Sequence, residues 1–203
     1  DCSSDEAFDT ITDVGRQLKA DGAELGETQI IAPVKSRPAG IEAINRRFHQ
    51  ARQSATEGDY FPGRRDLAAG DPIMWTQNDW ERELMNGSMG RLHSVIDGIA
   101  HATLDGAPLE LSLKDANFLA LAYAISVHKS QGSQWRRVII PVFKSRILDR
   151  TLIYTAITRA SEQVIIVGDR TAFNQAVRDM PKSLRRSVGL GIRLQRQSFG
   201  SQP

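Results

Sequence analysis

The run SVHKSQGSQW, Ser126 to Trp135, sets a hydroxyl, an imidazole, an ammonium and a second hydroxyl, Ser130, ahead of Gly132 and Gln134, directly after the apolar stretch FLALAYAI. In a parallel α/β sheet, ligands collect beyond the carboxyl ends of the strands, where loops and helix N-termini present donors. Ser126 and His128 can donate to phosphate oxygens, Lys129 adds charge, and Gly132 lets a ligand approach the backbone. That set suits a nucleic-acid backbone or a nucleotide.

A second stretch, LIYTAITRASEQVIIVGD from Leu152 to Asp169, ends an apolar pattern in Thr158-Arg159 just before a core strand. Arginine, with its planar fork of donors, is the residue that stabilises charge on a transferring phosphoryl group. A lone arginine at such a place is more often a helix-end cation facing the dipole. Other chemistries find less support. His49, His93, His101 and His128 have no cysteine or HExxH-type partner for zinc, and no G-x-S-x-G elbow for a hydrolase is present.

The elements that must position these residues follow from periodicity. Ser3 and Glu6 read as a capping box opening an amphipathic helix that stops at Asp21-Gly22. TQIIAP is a short buried strand, and Ile41, Ile44, Phe48 and Ala51 space out a second helix. From about Asp66 to Asp115 the texture changes to short β-type runs separated by Asn86-Gly87, Asp97-Gly98 and Asp105-Gly106, which predicts a small antiparallel barrel inserted into the α/β body. Afterwards come strand FLALAYAI, a polar turn and helix, strand RVIIPVF, helix RTLIYTAITRA and strand QVIIVG. The predicted layout is residues 1–65 and 116–203 as one α/β unit around a 66–115 insertion.

Composition narrows the class. At 203 residues, 40% hydrophobic and 25% charged, the chain is an ordinary globular protein of one domain, or of one with an insertion. From Arg178 onward six cations face Asp179 alone, so that tail carries +5 and the remainder −3, a distribution that suggests a polyanion nearby or a solvated helix face. Cys2 is the only cysteine, so no internal disulfide forms, and no run approaches a membrane span. A cytoplasmic location is expected.

The two stretches together resemble motifs V and VI of superfamily 1 helicases, in the form used by the RecD family, the alpha subunit of exodeoxyribonuclease V. IIAPVKSRPAGIEAIN resembles the family's motif IV segment, GDPIMWTQNDWERELMNGSMGRL the start of its inserted SH3-like domain, and SLRRSVGLGIRL its C-terminal end. The five segments run in order from about Gln29 to Leu194. The resemblance implies a RecA-like parallel sheet of the P-loop NTPase type, the second domain of a helicase, with an SH3-like β-barrel inserted.

It also implies roles. Ser126 and His128 would contact a DNA strand, with Lys129 and Ser130 near the same surface. Gly132 and Gln134 would lie against the nucleotide, and Arg159 would be the arginine finger reaching the γ-phosphate. Lys35, or Arg37 beside it, would be the motif IV cation completing the catalytic set. In the barrel, Asn78 and Trp80 would meet nucleic acid, while Trp75 and Trp80 could equally pack in a core.

ATP and Mg²⁺ would be held mainly by a first motor domain, because the phosphate-cradling G-x-x-x-x-G-K-[ST] loop occurs nowhere in this chain. The chain alone is therefore expected not to hydrolyse ATP. Expected partners are single-stranded DNA, an N-terminal RecA-like domain of the parent protein and the exonuclease V beta and gamma subunits, with no membrane and no protein-bound metal. Two other readings are a stand-alone nucleic-acid-binding module and the helicase half of a conjugative relaxase.

Overall fold

Four parallel strands carry the body of the protein in the computed structural model, which describes residues 1–24, 26–55 and 59–179. They are β1 (Thr28–Ala32), β7 (Ala124–Ser126), β8 (Trp135–Val142) and β9 (Ala160–Gly168), in the order β7-β1-β8-β9. Central β8 reads RRVIIPV because it is covered on both faces. Helices α1 (Ala7–Ala20) and α2 (Ile41–Ala55) cover one face through Ile11, Leu18 and Ile44, against Ile30, Ala32 and Ile139. Helices α3 (Arg150–Ile157) and α4 (Arg170–Arg178) cover the other through Ile153, Ala156, Ala172 and Ala176, against Ile31, Val138 and Ile140. Ile140 is fully buried, so Ile140→Ala is expected to lower stability by about 2–5 kcal/mol in urea unfolding.

Five antiparallel strands form a second sheet: β2 (Pro72–Trp75), β3 (Met89–Ile96), β4 (Ile99–Leu104), β5 (Ala107–Leu111) and β6 (Leu119–Leu121), ordered β5-β4-β3-β2-β6. Both Asp-Gly pairs close two-residue hairpins with positive φ at each position, 51° and 76° at Asp97-Gly98 and 48° and 83° at Asp105-Gly106. These are type I′ turns, whose twist matches that of the strands they join. The core of this sheet is Phe61, Leu67, Ile73, Trp75, Leu92, Leu104 and Leu111.

Trp75 is fully buried, so of its two sequence readings the packing one holds. Arg82 lies over its ring at 5.7 Å and donates to the buried Asp115 at 2.8 Å. Burial works against Asp115 ionising, but the Ser112 amide and Arg82 outweigh it and hold the carboxyl below its ordinary value. Stability from a carboxyl so lowered is present above the unfolded value and is lost as pH falls through the folded one. Arg82→Ala is therefore expected to cost about 1–3 kcal/mol at neutral pH. In melts, the gap from wild type should close below the carboxylate range.

The structure amends the sequence reading in three places. FLALAYAI is not one strand: Leu119–Leu121 joins the antiparallel sheet and Ala124–Ser126 the parallel one. The break is stable because buried side chains satisfy its backbone. The Gln29 amide donates to the Ala122 and Tyr123 carbonyls, and Asn45 donates to Leu121 and Ala124 while accepting from the Ala124 amide. The antiparallel strands accordingly run from Pro72 to Leu121, past the expected end at 115. No helix follows Ser126 either; Val127–Gly132 are turns, and β8 begins at Trp135. The capping-box bonds of Ser3 and Glu6 do form, just ahead of α1. The basic tail beyond Asp179, including SLRRSVGLGIRL, lies outside the described residues.

Candidate functional site: two edges of one sheet

The predicted site residues divide between opposite edges of the parallel sheet. Ser126 ends β7, level with Ala32 at the end of β1, so it stands at the carboxyl edge. Arg159 precedes β9, and its carbonyl accepts from the Trp135 amide at the start of β8 at 2.9 Å, so Arg159 and Gln134 stand together at the amino edge. Ile30 pairs with Ile139, which puts Ala32 level with Pro141, six residues along β8 from Trp135. At about 3.3 Å per residue the edges are roughly 20 Å apart. Lys35 and Arg37 follow β1 and share the carboxyl edge. Lys35 lines the groove that Ser126 also lines, while Arg37 lines a separate cavity with Pro33 and Phe143.

At the amino edge, Arg159 is loosely held. Its guanidinium donates to the carbonyls of Thr155 at 3.3 Å and Ser133 at 3.5 Å and to the Thr158 hydroxyl at 3.4 Å. Contacts at the long end of the hydrogen-bond range restrain a side chain little, so swinging outward toward an anion costs little. Gly132, at φ 88°, lets the chain turn toward this edge, and Gln134 beside it is exposed. The residues thus fit the phosphate and sugar side of a nucleotide. Among the described residues no group of three or more His, Cys, Asp or Glu could hold a metal ion.

The carboxyl edge opens into a groove of about 1170 Å³ between α2 and the antiparallel sheet. Lys35, Arg46, Arg64, Arg65 and Lys129 line it against Glu42 and Asp66. Arg64 is committed to Asp66 at 2.6 Å and to the Ala116 carbonyl, and Lys35 stands 3.6 Å from Glu42 with its side chain largely exposed. Arg46 and Arg65 are exposed cations for which the described residues show no ion pair. Cations that are neither buried nor neutralised concentrate polyanions.

Around Ser126 the loop has an internal order. The Lys129 amide donates to the Ser126 hydroxyl at 3.2 Å, and the fully buried Ser130 donates to the Val127 carbonyl at 2.7 Å. Ser130 therefore faces inward and shapes the turn, in contrast to its expected place near the binding surface. His128 is exposed. The Lys129 ammonium donates to Asn86, whose own amide donates to Asn78 at 2.9 Å. Asn78 thus orders the loop before β3, and that loop displays Trp80 at 75% exposure. Partial burial lowers the Lys129 pKa below its ordinary value.

Sequence reasoning missed Arg46, Arg65 and Asn86, which come to the groove only through tertiary folding. It also passed over Gly40, where a Cβ would lie 2.6 Å from the Lys35 carbonyl and 2.8 Å from the Arg37 nitrogen. The tight 34–40 loop, closed by the Ile41 amide on Val34, has no room for a side chain there. Gly40→Ala is expected to displace Lys35 and weaken polyanion binding several-fold in a titration.

Residues 121–167, which span the Ser126 loop and Arg159, match the model of the UvrD-like helicase C-terminal domain. An ATP-dependent RecD2 DNA helicase from Deinococcus radiodurans is 30% identical over 154 residues, 74% of this chain and 21% of that protein. The RecBCD enzyme subunit RecD of Mycobacterium tuberculosis is 32% identical over 182 residues, 88% of this chain and 30% of that one. The chain thus spans less than a third of the length of these relatives. A Bacteroides Pif1 helicase, solved with ADP-AlF3 and single-stranded DNA, shares the fold at a TM-score of 0.55 and 20% identity, over 96% of this chain and 54% of that one. With the parallel sheet, the Ser126 loop and Arg159 in the matched order, the chain is a UvrD-like helicase C-terminal domain of the RecD-like kind.

Proposed function

We propose that the chain is the second motor domain of an ATP-dependent 5′–3′ DNA helicase of the RecD type. It grips single-stranded DNA in the α2 groove and offers Arg159 to ATP held by a first motor domain. The observation that carries this reading is the loop 127–134, which joins the Ser126 end of β7 to the Gln134 and Arg159 edge. One short segment links the polyanion-facing edge to the nucleotide-facing edge.

The steps taken by this chain's own residues follow from that arrangement. Ser126, His128 and the groove cations hold phosphates, while Lys35 acts on the strand. ATP supplies the free energy of hydrolysis, with Mg²⁺ held by the first domain. Arg159 stabilises charge at the γ-phosphate, and Gln134 and Gly132 face the sugar side. Movement of the 127–134 loop as the domains close draws the DNA-contacting residues along the strand. The insertion is SH3-like in kind, and Trp80 stacks on a base.

Within a RecBCD-type assembly the partners are the exonuclease V beta and gamma subunits, and the compartment is the cytoplasm. No helix among the described residues is long and apolar enough to cross a membrane. Anisotropy titration of a fluorescent oligothymidylate with the 203-residue chain tests the DNA part of the reading. Binding should weaken steeply as salt rises. Binding that ignores salt, or none at low salt, sinks it.

A further inference from the structure

The seam between the parallel body and the antiparallel sheet holds a buried polar cluster for which DNA and nucleotide contacts have no use. The Asp71 carboxylate, fully buried where the chain enters β2, is met from three directions. His49 of α2 lies 2.8 Å away through Nδ1, the Tyr123 hydroxyl donates at 2.7 Å, and the Ala68 amide donates at 2.8 Å. An ionised carboxylate only accepts, so Nδ1 of His49 is the donor in that contact. Tyr123 stacks on Phe48 of α2 at 5.5 Å. Burial, then Asp71 itself, pushes its phenol pKa up, so the hydroxyl stays a donor.

The place of these residues in the chain gives the cluster its meaning. Asp71 sits on the segment by which the chain enters the antiparallel sheet, and Tyr123 on the segment by which it returns to β7. His49 belongs to the helix that walls the groove on the body side. One carboxylate therefore ties both crossing segments to α2. The neighbouring Ala69 and Gly70 carbonyls accept from Arg52 and Arg91, which grips the entry segment further. A buried carboxylate is unfavourable unless it is fully partnered, and apolar packing would join two units without that penalty. What a partnered buried charge adds is a single relative placement, because any other register leaves it unpaired.

We propose that Asp71, with His49 and Tyr123, is the fastener that fixes the antiparallel insertion against α2 and β7 and thereby sets the width of the groove. These are positioning residues. The consequence for DNA rests on the groove being the nucleic-acid path; the fastening itself does not.

The test places two spin labels on the 203-residue chain, at exposed Ala51 on α2 and Glu110 on β5, with Cys2, the only cysteine, changed to Ser. The wild-type background should give one narrow distance distribution. Asp71→Ala should broaden it and lower oligothymidylate affinity tenfold or more. Tyr123→Phe, which removes one hydroxyl and keeps the ring, serves if Asp71→Ala does not fold, and should broaden the distribution less.

His49→Ala should broaden it too. His49→Asn, whose amide nitrogen can take the place of Nδ1, should restore the narrow form, a rescue that general destabilisation does not produce. A distribution that stays narrow in folded Tyr123→Phe and His49→Ala overturns the fastener. Broadening with unchanged affinity overturns its control of the groove. A wild-type chain that binds no oligonucleotide overturns the DNA reading instead and leaves the distances to decide the fastener.

Discussion

Arg159→Ala in the parent helicase is expected to lower DNA-stimulated ATP hydrolysis by about 10³- to 10⁵-fold, the range measured when an arginine finger is removed from comparable enzymes. The size follows from what the guanidinium does. In the proposed role it would meet charge that develops on the transferring phosphoryl group once the domains close. Its neighbours at that edge, Arg136 and Arg137, are held by Glu27 and Glu162 and so do not replace it. Lys35 and Arg37, the two candidates for the motif IV cation, follow β1 at the opposite edge, roughly 20 Å away along the sheet.

Arg159→Lys keeps the charge and loses the planar fork, so it should still cost a hundredfold or more in kcat. Oligonucleotide affinity should be nearly unchanged in both variants, since Arg159 is remote from the groove. The 203-residue chain alone should show no hydrolysis. A parent enzyme indifferent to Arg159 would remove the mechanism and favour a binding module that has kept the fold without the motor.

Replacing Lys35, Arg46, Arg65 and Lys129 together by Ala is expected to nearly abolish oligonucleotide binding by the chain at physiological salt. For single strands the slope of log K against log salt falls by about 0.7 for each phosphate that is no longer neutralised. Removing all four cations would flatten the slope by about 2.8 on that rule. The graded version of the experiment is more informative, because Arg46 and Arg65 have no ion pair among the described residues, whereas Lys129 is also bonded to Asn86. Arg46→Ala and Arg65→Ala should each reduce the slope with little effect on melting temperature. Lys129→Ala should reduce it and also loosen the loop that presents Trp80. A slope unchanged in the fourfold variant would place the DNA elsewhere on the molecule.

Much of this protein was determined by sequence alone, for physical reasons that act locally. The continuous apolar run VIIPV specifies a strand buried on both faces, whereas the similar run in EQVIIVG forms the edge strand β9 and leaves Ile166 exposed. Asp-Gly pairs specify type I′ turns, because two consecutive positive φ angles are tolerated there. The order of SVHKSQG and TRA, which carries the family resemblance, is likewise a property of the chain, and the Trp135 amide, next to Gln134, donates to the Arg159 carbonyl.

Tertiary structure alone decided which functional residues share a surface. Nothing local in FLALAYAI marks Ala122-Tyr123 as the point where a strand passes from one sheet to another. The amides of Gln29 and Asn45 make that break tolerable, and they come from 76 to 94 residues away. Ser130 looks like its exposed neighbours until the turn buries it, because one residue of rotation in a tight loop exchanges solvent for core. The motif IV cations lie close in sequence to the strand they follow, yet a parallel sheet has two edges, and strand length separates groups that a motif list sets side by side. The His49, Asp71 and Tyr123 contacts join residues distant in the chain, and no periodicity announces them. Spacing along a chain fixes local geometry, whereas the meeting of charges across a seam is settled only when the whole fold has closed.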